Sequence, residues 1–384
     1  MNERLKELFD RVDELRPEMR ATWAYLVDRD CGTKNKAGVD AVGAAVQKFL
    51  EKCGFSVRFH EYENAGNLLV AEKGDMTKPF VCLVGHLDTV FPDGTSADRP
   101  LIIRDGVVTG AGCLDMKGGV TILLYAMKIL AEKGWDRYPV KILLAGDEEV
   151  AHRNSRAAHD LVEEARGGCM GFNFETSFLD NSVVLGRMGY CVYRVDVKGV
   201  GAHAGNNPED GRSAIMELAR KMIDIDALAD HSKGTLVNVG TMGGGTVPNA
   251  IPDNAWCVVD IRFTKTSEIE RVKRGMEAIG AKTYVEGTET KLAMNVDIPA
   301  MERTEASEAL FEKVNAIALG AGLPAMTPKS TGGGSDSVFL SRAGVPTICA
   351  LGVKGEFNHT EREYALEDSL FEREKLILAV LDQI

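Results

Sequence analysis

Cysteine pairing motifs are missing from this sequence: none of its eight cysteines forms a Cys-x-x-Cys pair. Cys82, Cys191, Cys257 and Cys349 lie inside strand-like runs, where a reduced, buried thiol is the expected state, so disulfides are not expected. Long hydrophobic runs are missing too. No stretch approaches the ~20 apolar residues of a membrane span, and Met1-Asn2-Glu3-Arg4-Leu5-Lys6 lacks the apolar core of a signal peptide. The expectation is a cytoplasmic protein without a membrane partner. Positive charge is in deficit, with 45 Lys and Arg against 57 Asp and Glu and a net charge of -12. Binding to nucleic-acid phosphates calls for a basic face, so a nucleic-acid partner is not expected either. Internal repeats and low-complexity segments are absent. What remains is ordinary globular composition, 45% hydrophobic and 27% charged, in a chain of 384 residues, long enough for roughly two or three domains of about 150 each.

Helical periodicity runs from Leu5 to Leu26 and from Val39 to Lys52, the second followed by Gly54. Strands are predicted at Ser56–Glu61, Asn67–Ala71 and Pro79–Val84. The run Phe80-Val81-Cys82-Leu83-Val84 has no polar alternation, which suits a strand covered on both faces in the middle of an α/β sheet. A buried helix over Gly119–Glu132 and further strands at Val140–Ala145, Gly171–Phe174 and Thr347–Leu351 complete this part. His86, Glu148, Glu149 and Glu175 fall at or just beyond strand ends, where chemistry gathers in open α/β sheets. Between about 187 and 295 the pattern changes to strand Tyr190–Lys198, helix Arg212–Leu228, strands Thr235–Thr241 and Ala255–Phe263, helix Ser267–Ile279 and strand Lys282–Glu286. A capping box of Ser267 and Glu270 is expected to open the second helix. This β-α-β-β-α-β order is that of a ferredoxin-like unit. Candidate metal ligands occur on both sides of it, so the expected arrangement is α/β: a catalytic domain of residues 1–186 and 296–384, with a mixed sheet flanked by helices, interrupted by an inserted domain of residues 187–295.

Four clusters carry the chemistry: Gly85-His86-Leu87-Asp88-Thr89-Val90, Asp115-Met116-Lys117-Gly118-Gly119, Asp147-Glu148-Glu149 and Phe357-Asn358-His359, with Glu175 ending a further strand. In an extended segment His86 and Asp88 share a face. The pair reads either as a metal ligand held by its Asp or as a buried His bonded to an Asp. Asp115 sits between glycines that permit the close backbone approach a bridging carboxylate requires. A dinucleotide loop is the competing reading of Thr109–Gly119, but the third glycine is not at its proper offset. Glu148 and Glu149 would repel each other in a low-dielectric pocket unless a cation were present or one were protonated; a solvated acidic loop is the alternative. With Glu149 on a metal, Glu148 is free to act as the base. Together, Asp115, Glu149, Glu175 and one hydroxide neutralise a pair of Zn²⁺, with His86 and His359 as neutral imidazole ligands. His60, His152, His159 and His231 lack comparable settings and read as surface or packing residues.

With these residues in place, the chain resembles the dinuclear zinc exopeptidase and amidohydrolase family of glutamate carboxypeptidase (carboxypeptidase G type), aminoacylase and succinyl-diaminopimelate desuccinylase, over essentially its whole length. The resemblance implies that His86, Asp115 and Glu175 hold one zinc and Asp115, Glu149 and His359 the other. It implies that Asp88 orients His86 and that Glu148 is the general base and acid. It also gives meaning to Lys198-Gly199-Val200-Gly201-Ala202-His203-Ala204-Gly205, where His203 would be presented to a partner subunit's site to stabilise an oxyanion. A homodimer through the inserted dimerisation or lid domain follows. Asn249 and Arg262 match positions that contact substrate, and Gly333 lies in a glycine run, Thr331–Asp336, that lines the same pocket; read without the resemblance, Arg262 is equally a surface strand residue. Two departures stand out. Val150-Ala151-His152-Arg153-Asn154-Ser155 replaces a glycine-serine pair that often follows the two glutamates. No arginine occurs near Lys291–Asn295, where glutamate-cleaving relatives tend to carry one. Glu175, rather than Asp, leans by resemblance toward carboxypeptidases and deacylases.

The expectation is a metallohydrolase that cleaves an amide bond beside a free carboxylate, most simply a carboxypeptidase acting on small peptides or N-acyl amino acids. It would carry two Zn²⁺ per chain, with cobalt or manganese as substitutes. The alternatives are an N-acyl-amino-acid deacylase (acetyl or succinyl) and, from another class, a non-catalytic binding protein that kept the fold. An oxidoreductase fails for want of a phosphate loop.

Overall fold

The computed structural model describes residues 2–384 and divides into two compact units. One comprises the chain up to Leu185, Arg303–Ser330 and Ser335–Ile384; the other comprises Gly186–Glu302 and Thr331–Gly334.

The first unit is built on a six-stranded mixed sheet in the order Ser56–His60, Gly66–Lys73, Val140–Gly146, Phe80–His86, Gly168–Asn173, Thr347–Ile348. The last four run parallel and the first two antiparallel. Every residue of Phe80–His86 and of Val140–Gly146 is buried, as unbroken apolar runs require when helices cover both faces. Helix Glu3–Val27 buries Leu5, Leu8, Phe9, Val12, Leu15, Met19, Trp23 and Leu26, a stripe at three- and four-residue spacing. It starts where the Asn2 side chain accepts from the Leu5 N–H at 2.8 Å. It packs with helices Gly118–Glu132 and Glu367–Gln383. Because the three longer parallel strands share one direction, their carboxyl ends bring His86, the turn after Gly146 and the turn after Asn173 to one edge. That edge carries the candidate site.

The second unit is a four-stranded antiparallel sheet in the order Thr235–Gly244, Asn254–Phe263, Gly189–Lys198, Glu289–Ile298, with helices Ala214–Asp226 and Ser267–Ala281. Strict alternation of burial along Gly189–Lys198 turns Cys191, Tyr193, Val195 and Val197 onto a core shared with these helices.

Three expectations are corrected here. The last strand is Glu289–Ile298, not Lys282–Glu286. Segment 282–286 is instead a loop, tied down by Glu217, which accepts from the Tyr284 and Val285 N–H groups, and by Lys221, which donates to the Ile279, Gly280 and Lys282 carbonyls. The capping box of Ser267 and Glu270 does not form: Thr266 already has helical φ and ψ, and its N–H donates to Glu302 instead. The boundary near 295 lies later, since the last strand runs past it, and the glycine run 331–334 goes with the second unit. Arg187 donates to the Gly333 and Gly334 carbonyls and Arg262 to that of Gly332.

One buried group has no part in the site. Glu374, in Glu367–Gln383, is fully buried with both carboxylate oxygens unpartnered, and burial pushes its pKa well above the usual carboxylate value. The folded state therefore keeps a proton that the unfolded chain releases above about pH 4.5. This contribution to stability is complete below that pH and declines as pH rises towards the folded-state pKa, by up to about 1.4 kcal/mol per pH unit. Glu374→Gln removes the titration, so its melting temperature relative to wild type should climb as pH rises above about 5. A difference that does not vary with pH would show that Glu374 is ionised in the fold.

Candidate metal centre

His86 ends the central strand Phe80–His86 and is 2% exposed. Its Nδ1 lies 3.0 Å from the Asp88 backbone carbonyl and 3.4 Å from Asp88 Oδ1. The tie to Asp88 thus runs chiefly through the backbone, a detail that alternation along a strand could not give. With Nδ1 so engaged, Nε2 points at Asp115 Oδ1, 3.1 Å away, and Glu175 Oε1, 3.6 Å away. The other Asp115 oxygen lies 3.1 Å from His359 Nε2, which is itself 3.0 Å from Glu149 Oε2. Asn358 Nδ2 donates to that same Asp115 oxygen at 3.1 Å. Each oxygen of Asp115 therefore faces a different imidazole, as a bridging carboxylate does.

The chain is folded locally to allow this. A Cβ at Gly119 would sit 1.9 Å from the Phe174 carbonyl oxygen, so only glycine lets the start of Gly118–Glu132 meet the strand end that carries Glu175. His359 adopts a left-handed backbone, φ +63°, an unfavourable conformation that persists where the surroundings impose it. Asp88 is the structural hub of the cup. It is 1% exposed and its carboxylate accepts from the Thr33 hydroxyl (2.6 Å), the Glu148 N–H (3.1 Å) and the Glu149 N–H (3.3 Å).

Electrostatics follow from crowding. Asp115, held by His359 and His86, stays ionised despite its burial, its pKa far below the usual range. Burial, then the Asp115 charge, raises Glu149 to about 7. Asp115 and Glu149 together hold the His359 imidazole protonated up to about 11. Burial drives Glu148 well above a normal carboxylate, and the charges of Glu175, Asp336 and Glu149 reinforce it against the opposing pull of His86. Glu149 Oε1 is buried without a partner. Ligand atoms of His86, Asp115 and Glu149 fall within 4.8 Å of one another, as do those of His86, Glu148 and Glu175. Oxygen and imidazole donors this close, with like charges in excess and an orphaned oxygen, fit divalent cations.

The sequence-predicted residues of the first unit, His86, Asp88, Asp115, Glu148, Glu149, Glu175 and His359, come together at this edge. Those of the second unit are His203, Asn249, Arg262 and Gly333. His203 lies opposite Ala250 in a short two-stranded ladder, and the Ala204 N–H donates to the Asn249 carbonyl at 2.9 Å. Arg262 pairs with Asp260 at 2.9 Å and with the Gly332 carbonyl at 2.7 Å. Sequence reasoning missed Thr33 and Glu363; the latter accepts from the Leu114 and Asp115 N–H groups. Neither has a local signal, since each acts on a residue distant in sequence. Of the histidines set aside, His159 and His231 are exposed and His60 is half-buried beside Glu164, but His152 is wholly buried between two carboxylates.

The sequence profile of peptidase family M20/M25/M40 matches residues 82–383. The chain belongs to this family. Among its relatives, carboxypeptidase G2 of Pseudomonas sp. (strain RS-16) is 28% identical over 97% of this chain and 91% of its own length. An acetylornithine deacetylase of Myxococcus xanthus is 32% identical over 68% of this chain and 71% of its own. The M20 fold recurs in aminopeptidase PepT of Bacillus cereus, with a TM-score of 0.78 at 21% identity, covering 96% of this chain and 98% of that one. The resemblance drawn from the motifs therefore stands, and with it a hydrolytic metalloenzyme.

Metal uptake should carry protons with it. Without metal, His359 is protonated below about pH 11 and Glu149 below about 7, and both must lose the proton to serve as ligands. Calorimetric titration of apoprotein with Zn²⁺ at pH 7, in buffers of different ionisation enthalpy, should show release of at least one proton, and affinity should fall as pH drops through 7. Proton-neutral binding would contradict these assignments.

Proposed function

We propose that this M20 hydrolase is a carboxypeptidase-like enzyme that cleaves an amide bond next to a free carboxylate in small peptides or N-acyl amino acids. The observation that supports it most is Asp115 presenting one oxygen to each of two histidines, with Glu148 alongside but outside their hydrogen bonds. In this reading His86, Asp115 and Glu175 hold one Zn²⁺ and Asp115, Glu149 and His359 a second, with cobalt or manganese as substitutes. The chemistry such a pair supplies when bound is Lewis-acid polarisation of the scissile carbonyl and acidification of the attacking water. Glu148 is the proton carrier: it takes a proton from water and delivers it to the leaving amine nitrogen. A base works best with a pKa near the working pH, and burial supplies the upward shift from that of an ordinary glutamate. Asp88 holds His86 in one orientation and fixes the backbone of Glu148 and Glu149.

The second unit contributes substrate contacts in this reading. His203 Nδ1 accepts from the Gly205 and Asn206 N–H groups, both at 3.1 Å, so its own proton sits on Nε2, ready to donate to an oxyanion in a partner subunit's site. Asn249 and Arg262 are assigned to the substrate's carbonyl and carboxylate, and Gly333 to the loop beside them. The sheet order and two helices support a ferredoxin-like inserted domain, and a homodimer through it is supported by exposed Leu236 and Met242 on its edge strand and Ile215, Met216 and Ile223 on its helix Ala214–Asp226. Among the described residues no helix is long and apolar enough to cross a membrane. None of the eight cysteines is in a disulfide, which supports a cytoplasmic setting.

Deacylation of acetyl or succinyl amino acids uses the same residues and is the second reading, favoured by the deacetylase among the relatives. A panel of dipeptides against N-acetyl and N-succinyl amino acids, assayed with added zinc, cobalt and manganese, separates the two. Glu148→Ala should retain metal and lose at least about a hundredfold in kcat. Turnover near wild type would refute the role of Glu148, and failure of the wild type on the whole panel would refute the substrate class.

A further inference from the structure

Glu148 and Glu149 leave the sheet on a turn whose backbone is not relaxed. Ala151 and His152 follow one another in the left-handed region, φ +55° and +54°, which non-glycine residues enter at a cost. The turn closes on itself through Ala151 N–H to the Glu148 carbonyl (2.7 Å) and His152 N–H to the Asp147 carbonyl (3.1 Å). Backbone bonds of this kind do not fix the turn against the rest of the fold. Two carboxylates do. One is Asp88, already described. The other is Asp336, and it acts through a histidine.

The His152 ring is 1% exposed, and both of its nitrogens are taken. Nδ1 lies 2.8 Å from Asp147 Oδ1 and Nε2 lies 2.7 Å from Asp336 Oδ1. Neither contact tolerates two facing lone pairs, so each holds a proton. Asp147 is 0% exposed and Asp336 is 2% exposed, and the second oxygen of each is buried without a partner. The edge of Phe339, from helix Ser337–Arg342, packs on the imidazole with ring centres 5.3 Å apart. Two buried carboxylates and an imidazole are a costly set to assemble merely to fill space, where apolar side chains pack as well. What this set achieves is a rigid link from the residue before Glu148, through His152, to the Asp336 that precedes helix Ser337–Arg342, 184 positions beyond His152.

We propose that His152 is a positioning residue for the hydrolytic reaction: by clasping Asp147 to Asp336 it fixes the turn that presents Glu148. The inference rests on the reading of Glu148 as the proton carrier. His152 touches neither substrate nor metal ligands in this role.

The test uses His152→Asn, Asp336→Asn and the double variant in the full-length, metal-loaded enzyme, with Glu148→Ala as a parallel control. Asparagine tolerates the left-handed backbone but is too short to reach both carboxylates. Each single variant should lose roughly ten- to a hundredfold in kcat, as small displacements of reacting groups do. KM should stay within about twofold and metal content close to wild type, and although removing one partner of a buried charged set lowers the melting temperature, the variants should remain folded at the assay temperature. The double variant should be no slower than the slower single one, because the clasp acts as a unit. Wild-type kcat in either single variant, alongside an inactive Glu148→Ala, would overturn the inference while leaving the proposed function standing. Loss of activity fully accounted for by lost metal or lost fold would overturn it as well, since that is the signature of a purely structural residue. Should His152→Asn not fold, Asp336→Asn alone decides by the same readings. An active Glu148→Ala would instead sink the proposed function.

Discussion

Like charges crowded into a buried cup are the constraint around which the first unit is organised. Asp88, Asp115, Glu148, Glu149 and Glu175 converge at the carboxyl ends of parallel strands with His86 and His359 among them as direct counterweights. In a low-dielectric setting such a group either takes up protons or takes up cations. The shifts mark the first course: the His359 imidazole is held protonated and Glu149 is raised to about 7, while Asp115 stays ionised between two imidazoles. The M20 family membership and the donor set point to the second course in the working enzyme.

Holding such a cup together requires neighbours that do not react. Asp88 spends its carboxylate on the Thr33 hydroxyl and the backbone of Glu148 and Glu149, which ties the strand end to both glutamates. Glu363 does the equivalent for Asp115 by receiving its N–H and that of Leu114. Glycine at 119 lets a helix start touch the Phe174 carbonyl, which sets where Glu175 emerges. These are backbone and hydrogen-bond devices.

How much of this could be read from the sequence depended on whether a residue's signal was local. His86-x-Asp88, Asp115 between glycines and Glu148-Glu149 after an apolar strand carry their meaning within a few positions, and unbroken apolar runs marked the sheet that positions them. Glu175 and His359 were weak singly and became meaningful only when the charges of the whole set were added up. Thr33, Glu363 and the His152 clasp were invisible, because their partners lie 55, 249 and 184 residues away. The same distinction explains the misplaced last strand of the second unit. Residues 282–286 have strand-like composition, but Glu217 and Lys221 on a distant helix take their backbone groups, and the ladder forms instead from Glu289 onwards.

The most direct test of the account is a crystal structure of the zinc-loaded enzyme with anomalous data collected at the zinc edge. Two peaks per chain are expected, with Asp115 between them, His86 and Glu175 on one and Glu149 and His359 on the other, and the Glu148 carboxyl coordinated to neither. A single peak that does not touch Asp115, or no peak at this edge of the sheet, would contradict the central claim that charge crowding here is resolved by a bridged metal pair.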